Sequence, residues 1–215
     1  MRQLLKQYFW LSSIICLLSS SCAISKYKHI NSSNQVVISE REITPVFSKA
    51  KASKYKGTID VLKNHLSGIV IIKQTDSITT HIIFVTEIGM KMFDFEWKNN
   101  VMKTVYVFEP INKEPLVSAL SENFKQMFLL DVFDKQADLL SNQKVKSFYS
   151  LKEAKHRFLT TDSTNTLISQ NVFHKNKKDR FINYIFDTQT KTYTQIKSTQ
   201  FGLVKIKTEL NIINE

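Results

Sequence analysis

Histidines, carboxylates, hydroxyls and cysteines are where covalent or metal chemistry would reside in this 215-residue chain, and their spacing argues against most of it. The five histidines are His29, His65, His81, His156 and His174, and no two share a helix face at the spacing of a zinc hydrolase. No serine sits in a Gly-x-Ser-x-Gly elbow, and Gly57, Gly68, Gly89 and Gly202 are too dispersed to cradle a phosphate. Glu87, Asp94, Glu96 and Glu109 lie at or near the ends of strand-like runs and could form a carboxylate pair, yet alternating acids along a strand ordinarily make a solvated face. These residues point away from an enzyme and call for no metal and no cofactor.

The cysteines carry the one covalent expectation. Met1 to Ser21 has the three parts of a secretory leader: Arg2 and Lys6, an apolar run from Tyr8 to Leu18, and Ser19-Ser20-Ser21 before Cys22. The run is shorter than the about 20 apolar residues of a spanning helix. Its ending resembles a bacterial lipobox, with Ser19 where the common pattern has Leu and Leu18 one place further out. That resemblance implies removal of residues 1–21 and lipidation of Cys22. Cys16, the only other cysteine, would leave with the leader, so the processed chain has no partner for an intramolecular disulfide. A diacylglycerol thioether plus an N-acyl chain such as palmitate holds a protein stably to a membrane. Ala23-Ile24-Ser25-Lys26 contains no aspartate and no acidic run follows, which by resemblance to known sorting rules favours the outer membrane, facing the periplasm. Residues 22–45 read as the lipidated cysteine and a polar tether, and residues 46–215 as one domain.

The formal net charge of +11 raises the question of nucleic acid, but the lysines are scattered. The densest group, Lys175, Lys177, Lys178 and Arg180, falls in a hairpin loop with no zinc, helix-turn-helix or aromatic RNA-binding signature beside it, so nucleic acid is not an expected partner. Fifteen Phe against four Gly and three Pro mark a globular, β-rich body.

Leu66 to Phe108 organises that body. Leu66 to Lys73, Ile78 to Glu87, Met90 to Lys98 and Val101 to Phe108 read as four strands of an antiparallel meander, separated by turn residues. Phe93, Phe95 and Trp97 alternate with Asp94 and Glu96, giving the third strand one apolar and one acidic face. Ile69-Val70-Ile71-Ile72 and Ile82-Ile83-Phe84-Val85 are apolar on both sides and need cover on both. Asn112 is the expected N-cap of a helix from Lys113 to Leu130, whose Leu116, Val117, Leu120, Phe124, Met127 and Phe128 form a stripe at helical spacing. Leu129 to Leu140 either continues that helix or starts a second short one. Further strands are expected over Lys144 to Leu151, Arg157 to Asp162, Thr166 to Val172, Asp179 to Asp187, Lys191 to Thr199 and Leu203 to Ile213, about ten in all.

Laying the stripe on the meander would gather Ile69, Ile71, Ile82, Phe84, Phe93, Phe95, Trp97, Phe124, Met127 and Phe128 around one interior. In sequence that interior is equally a packed core or the lining of a ligand cavity.

The order of lipidated cysteine, tether, meander and helix, with Leu66-Ser67-Gly68-Ile69-Val70-Ile71 and Phe84-Val85-Thr86-Glu87-Ile88-Gly89-Met90-Lys91-Met92-Phe93-Asp94-Phe95 in its strands, resembles the lipoprotein-localisation factors LolA and LolB. The resemblance spans Gly57 to about Leu130. It implies a mainly β fold, an open antiparallel half-barrel covered by one or two helices, that holds acyl chains of a lipid or lipoprotein in its concave face. No counterpart of the receptor's exposed loop leucine is assignable. The alternatives are a closed, lipocalin-like barrel for the fold, and a scaffold lipoprotein with a solid core for the function.

Overall fold

Residues 34–141, 145–152 and 155–213 are described by the computed structural model. Their strands are β1 (Asn34–Val37), β2 (Ser53–Val61), β3 (Asn64–Gln74), β4 (Thr79–Thr86), β5 (Lys91–Lys98), β6 (Val101–Val107), β7 (Gln136–Ser141), β8 (Val145–Lys152), β9 (Lys155–Asp162), β10 (Leu167–His174), β11 (Lys177–Asp187), β12 (Thr192–Gln200) and β13 (Ile206–Ile212). One helix, α1 (Glu114–Met127), crosses between β6 and β7 after a short 3-10 turn. All thirteen strands form a single antiparallel sheet in the order β1-β7-β8-β9-β10-β11-β12-β13-β2-β3-β4-β5-β6. It consists of two meanders, β2–β6 and β7–β13, joined where Ile206 faces Val61 and Ile212 faces Tyr55. Strands β1 and β6 are its two edges, so the sheet is open and not a closed barrel.

Local chemistry explains the tight reversals. Asn99 and Asn100, which alone separate the paired Lys98 and Val101, take φ of 50° and 62°, left-handed values that Asn accepts more readily than most residues. At Gly68 in β3 a Cβ would stand 2.0 Å from the carbonyl oxygen of Val85, so β3 and β4 approach this closely only because that position has no side chain.

The curl of the sheet follows from what touches α1. Phe93 of β5 packs on Phe124 with ring centroids 5.3 Å apart, and Gln170 of β10 bonds Gln126 at 3.2 Å. Seven strand spacings separate β5 from β10, roughly 34 Å on a flat sheet, whereas a helix is only about 10–12 Å across. The sheet must therefore wrap the helix. Pro115 suits the first turn of α1, and Leu116, Leu120, Phe124 and Met127 point into the sheet, each worth about 1.5–3 kcal/mol of burial before entropy. The residue preceding α1 is Lys113, which makes no side-chain cap, so the expected cap at Asn112 is displaced by one residue and unused.

Two expectations are corrected at the sheet's second half. Residues 129–140 neither continue the helix nor form another. Leu129 and Asp134 turn left-handed, with φ of 54° and 62°, and β7 follows. Residues 34–45, expected in the tether, belong to the fold. There β1 pairs with β7, Ile38 and Ile43 are buried, and the Thr44 amide donates to the Asn165 carbonyl at 2.9 Å. The Tyr193 hydroxyl donates to the Thr44 carbonyl at 3.3 Å and accepts from the Leu167 amide at 2.8 Å, with burial pushing its pKa up to about 12. The polar run Asn31-Ser32-Ser33-Asn34-Gln35 stands directly before the three apolar residues Val36, Val37 and Ile38. Cys22, the leader and the chain as far as residue 33 lie outside the described residues. Among the described residues no helix is long and apolar enough to cross a membrane.

Candidate functional site

Most of the residues expected to line an acyl-chain site form a filled aromatic interior. Register places Val70 opposite Phe84 and Phe84 opposite Phe93, with Ile72, Ile82 and Phe95 in the next rung, all on the face toward α1. The rings run continuously, Phe84 to Phe93 at 5.4 Å, Phe93 to Phe95 at 4.6 Å and Phe124 to Phe128 at 6.4 Å. Ile82, Phe84, Phe93, Phe95, Phe124, Met127 and Phe128 are each no more than 1% exposed. Such packing leaves no room for a guest. Ile69 and Ile71 stand on the opposite face, paired with Val85 and Ile83 and only half-buried, which corrects their expected place in the lining. Four consecutive apolar residues carry no period-two signal, so sequence alone had no means of choosing the face.

Trp97, at the end of the same row, is half-buried and opens onto a cavity of about 580 Å³. Here the C-terminal half of α1 faces the second meander. Ile38, Val132, Leu159 and Val172 supply a buried aliphatic wall beside the indole. Glu122, Lys125, Asp131, Lys135, Lys155 and Arg157 contribute a more exposed charged margin. The volume falls within the roughly 300–1,000 Å³ of small-molecule sites. A second cavity, about 650 Å³ between residues 45–55 and the ends of β12 and β13, has no comparable cluster of converging charges.

Ion pairs fix the charged margin. Arg157 donates two parallel hydrogen bonds to Asp131, at 2.9 and 3.0 Å. Burial alone would raise the Asp131 carboxyl, but the Arg157 charge and hydrogen bonds outweigh it and hold it below its ordinary range. Burial likewise opposes Glu122, and the ion pair with Lys125 helps bring it below the ordinary value. The Lys125 ammonium also lies 5.9 Å from the Trp97 ring centroid. Lys135 and Lys155 have no ion pair with a described residue, leaving the margin with surplus positive charge.

Behind this margin a buried polar layer anchors the helix. Asn123 donates to the Thr208 hydroxyl at 3.0 Å and accepts from the Ser198 hydroxyl at 2.7 Å. Arg180, 2% exposed, donates to the Glu122 carbonyl at 3.2 Å and to the Gln200 side chain at 2.5 Å, and burial lowers its pKa. The Tyr184 hydroxyl donates to the Met127 carbonyl at 3.1 Å. Sequence reasoning missed Asn123, Asp131, Arg157, Gln170 and Arg180. A signal existed in β11, where Arg180 alternates in phase with Ile182 and Tyr184, but a charge in an apolar register was read as part of a basic loop.

On the outer face, His81 lies 3.0 Å from Asp94 and 3.5 Å from Glu96, and Lys91 approaches Asp94 at 3.8 Å. Asp94, expected in a wet acidic face, is thereby almost covered. Among the described residues no group of three or more His, Cys, Asp or Glu is placed to hold a metal ion.

No protein-family model matches the sequence, and no curated protein is significantly similar to it. Among solved structures, the fold is similar to that of a LolA superfamily protein from Nitrosomonas europaea, with 9% identity, 81% of this chain and 87% of that chain covered, and a TM-score of 0.47. A DUF1329 family protein from Desulfovibrio piger aligns over 80% of this chain and 85% of its own, at 11% identity and a TM-score of 0.42.

Proposed function

We propose that this chain is a non-enzymatic, lipid-anchored envelope protein that holds the apolar part of a lipid or lipoprotein in the Trp97 cavity. The observation that carries the reading is the pairing of a buried aliphatic wall, Ile38, Val132, Leu159 and Val172 beside Trp97, with a more exposed charged margin in one cavity. An amphiphile has that same division between chain and head, and each buried methylene contributes about 0.8 kcal/mol to its capture. No covalent step is involved. The leader pattern before Cys22 supports anchoring through that residue in the outer membrane, facing the periplasm. Loss of palmitate labelling in Cys22→Ser is the expected result, and equal labelling of mutant and wild type removes the anchor.

Trp97 makes the binding reading testable. The chain has two tryptophans, Trp10 in the leader and Trp97, so a chain starting at residue 22 reports from the cavity alone. Titration with a fatty acid should change Trp97 emission saturably and displace a fluorescent fatty acid, and Leu159→Asp should abolish both. Mass spectrometry of the purified protein should find a bound lipid or lipopeptide. The second reading, a scaffold lipoprotein with a solid core, draws on the filled ring stack of Phe84, Phe93, Phe95, Phe124 and Phe128. It stands if nothing apolar co-purifies and Trp97 does not respond.

A further inference from the structure

Strand β9 lays out the polarity of the Trp97 cavity along its own length. Lys155, Arg157 and Leu159 alternate with His156 and Phe158, so they share a face, and all three line the space. At about 6.7 Å per two residues, the lining passes from an ammonium to a buried leucine in about 13 Å. Lys135 is held beside the same wall, because the Ile38 amide donates to its carbonyl and the Asp134 amide donates to the Ile38 carbonyl, both at 2.8 Å.

Both carboxylates of the margin are already engaged. Asp131 accepts the two bonds of the Arg157 fork, and Glu122 accepts from the Gln126 side chain at 2.6 Å and pairs with Lys125. The Lys135 and Lys155 ammoniums are the unspent groups. A cationic head would find no acid to receive it, and a neutral head would desolvate two ammoniums without compensation, whereas an anionic head would meet both.

Volume limits the tail. A cavity of about 150 Å³ holds one benzene, about 25 Å³ per carbon, and on that scale 580 Å³ takes roughly 20 carbons. That is one acyl chain with its head. The three chains of a triacylated lipoprotein, on the order of 50 carbons, would need about 1,200 Å³.

We infer that the occupant of this cavity is a single-chain amphiphile with an anionic head, a fatty-acid carboxylate or a lysophospholipid phosphate, whose chain lies against Leu159 and Trp97 and whose head meets Lys135 and Lys155. The inference rests on the acyl-binding reading above and narrows it to one class of ligand.

The whole sheet and helix lie within residues 34–213, so the chain from residue 22 with Cys22→Ser is suitable for the test. It is titrated with dodecanoate, lauroyl lysophosphatidylglycerol, dodecanol and dodecyltrimethylammonium, each below its micelle concentration, and read by Trp97 emission and native mass spectrometry. One anion should bind per chain, the tighter of the two assigning carboxylate or phosphate, with dodecanol at least tenfold weaker and the cation weaker still. A tripalmitoylated cysteine peptide should not displace dodecanoate. Lys135→Glu/Lys155→Glu should weaken both anions at least tenfold while leaving dodecanol binding and the circular dichroism as in wild type. Equal binding of dodecanoate and dodecanol, or displacement by the tripalmitoylated peptide, overturns the inference and leaves the acyl-binding reading in place. Absence of binding by all four overturns both.

Discussion

The first meander meets α1 through carbon and the second through hydrogen bonds. Phe124 lies on Phe93 within a continuous ring stack, while on the same helix Asn123 and Gln126 are bonded to Ser198, Thr208 and Gln170. Apolar packing resists displacement but is indifferent to small rotations. A layer of paired amides and hydroxyls fixes one rotation and one axial position, since each group left unpaired in the interior is costly. The cavity opens where the two kinds of support meet, beside the indole of Trp97 and the Asp131–Arg157 pair.

Substitutions can break or sharpen this contrast. Phe93→Ala should have the largest effect, lowering stability by about 3–5 kcal/mol in urea denaturation, because the ring touches Phe84, Phe95 and Phe124 and nothing can collapse into its place. Asn123→Ala should cost about 2 kcal/mol by stranding two buried hydroxyls, and adding Thr208→Val and Ser198→Ala should return most of it. If the triple variant stays as unstable as the single one, the polar layer is not acting through satisfied pairs.

Acid should separate the two halves next. Asp131 has a folded pKa depressed below its ordinary 3.8, so its contribution is present above that value and is lost as pH falls through the folded one. As the pH is lowered from 7 into the acid range the wild type should lose the stability that this charge-assisted pair contributes. Asp131→Asn should show a correspondingly flatter pH dependence of the urea midpoint, and Phe93→Ala an unchanged one. The smallest effect is a gain. Leu62→Asn should stabilise the fold by about 1 kcal/mol by relieving a left-handed leucine, read as a higher melting temperature, and would place the first meander's weak point in its turn and not in its core.

How much could be read in advance follows the same division. The first meander announced itself because Phe93, Phe95 and Trp97 alternate with acids and two of its separators are Ile88-Gly89 and Asn99-Asn100, and the helix because its stripe is cleanly periodic. The face of β3 was illegible, since Ile69-Val70-Ile71-Ile72 has no polar residue to break the symmetry. Strand β1 is short and pairs with β7 about a hundred residues away, and β7 was hidden because its residues fell in a stretch expected to be helical, although it pairs with its neighbour β8. The cavity was illegible for a different reason. Its wall takes Ile38, Trp97, Val132, Leu159 and Val172 from five separate segments, and only the curl of the sheet brings them together.

The pairing of β13 with β2 also sets an order of events in synthesis. Every contact within a meander is between neighbours in sequence, but the join needs Ile206 to Ile212 against Tyr55 to Val61, about 150 residues earlier. Closing so long a loop is slow, and it cannot begin until the last strand has been made. A nascent chain halted before residue 206 therefore keeps the backbone edge of β2 unpaired, open to pairing with another strand until β13 emerges.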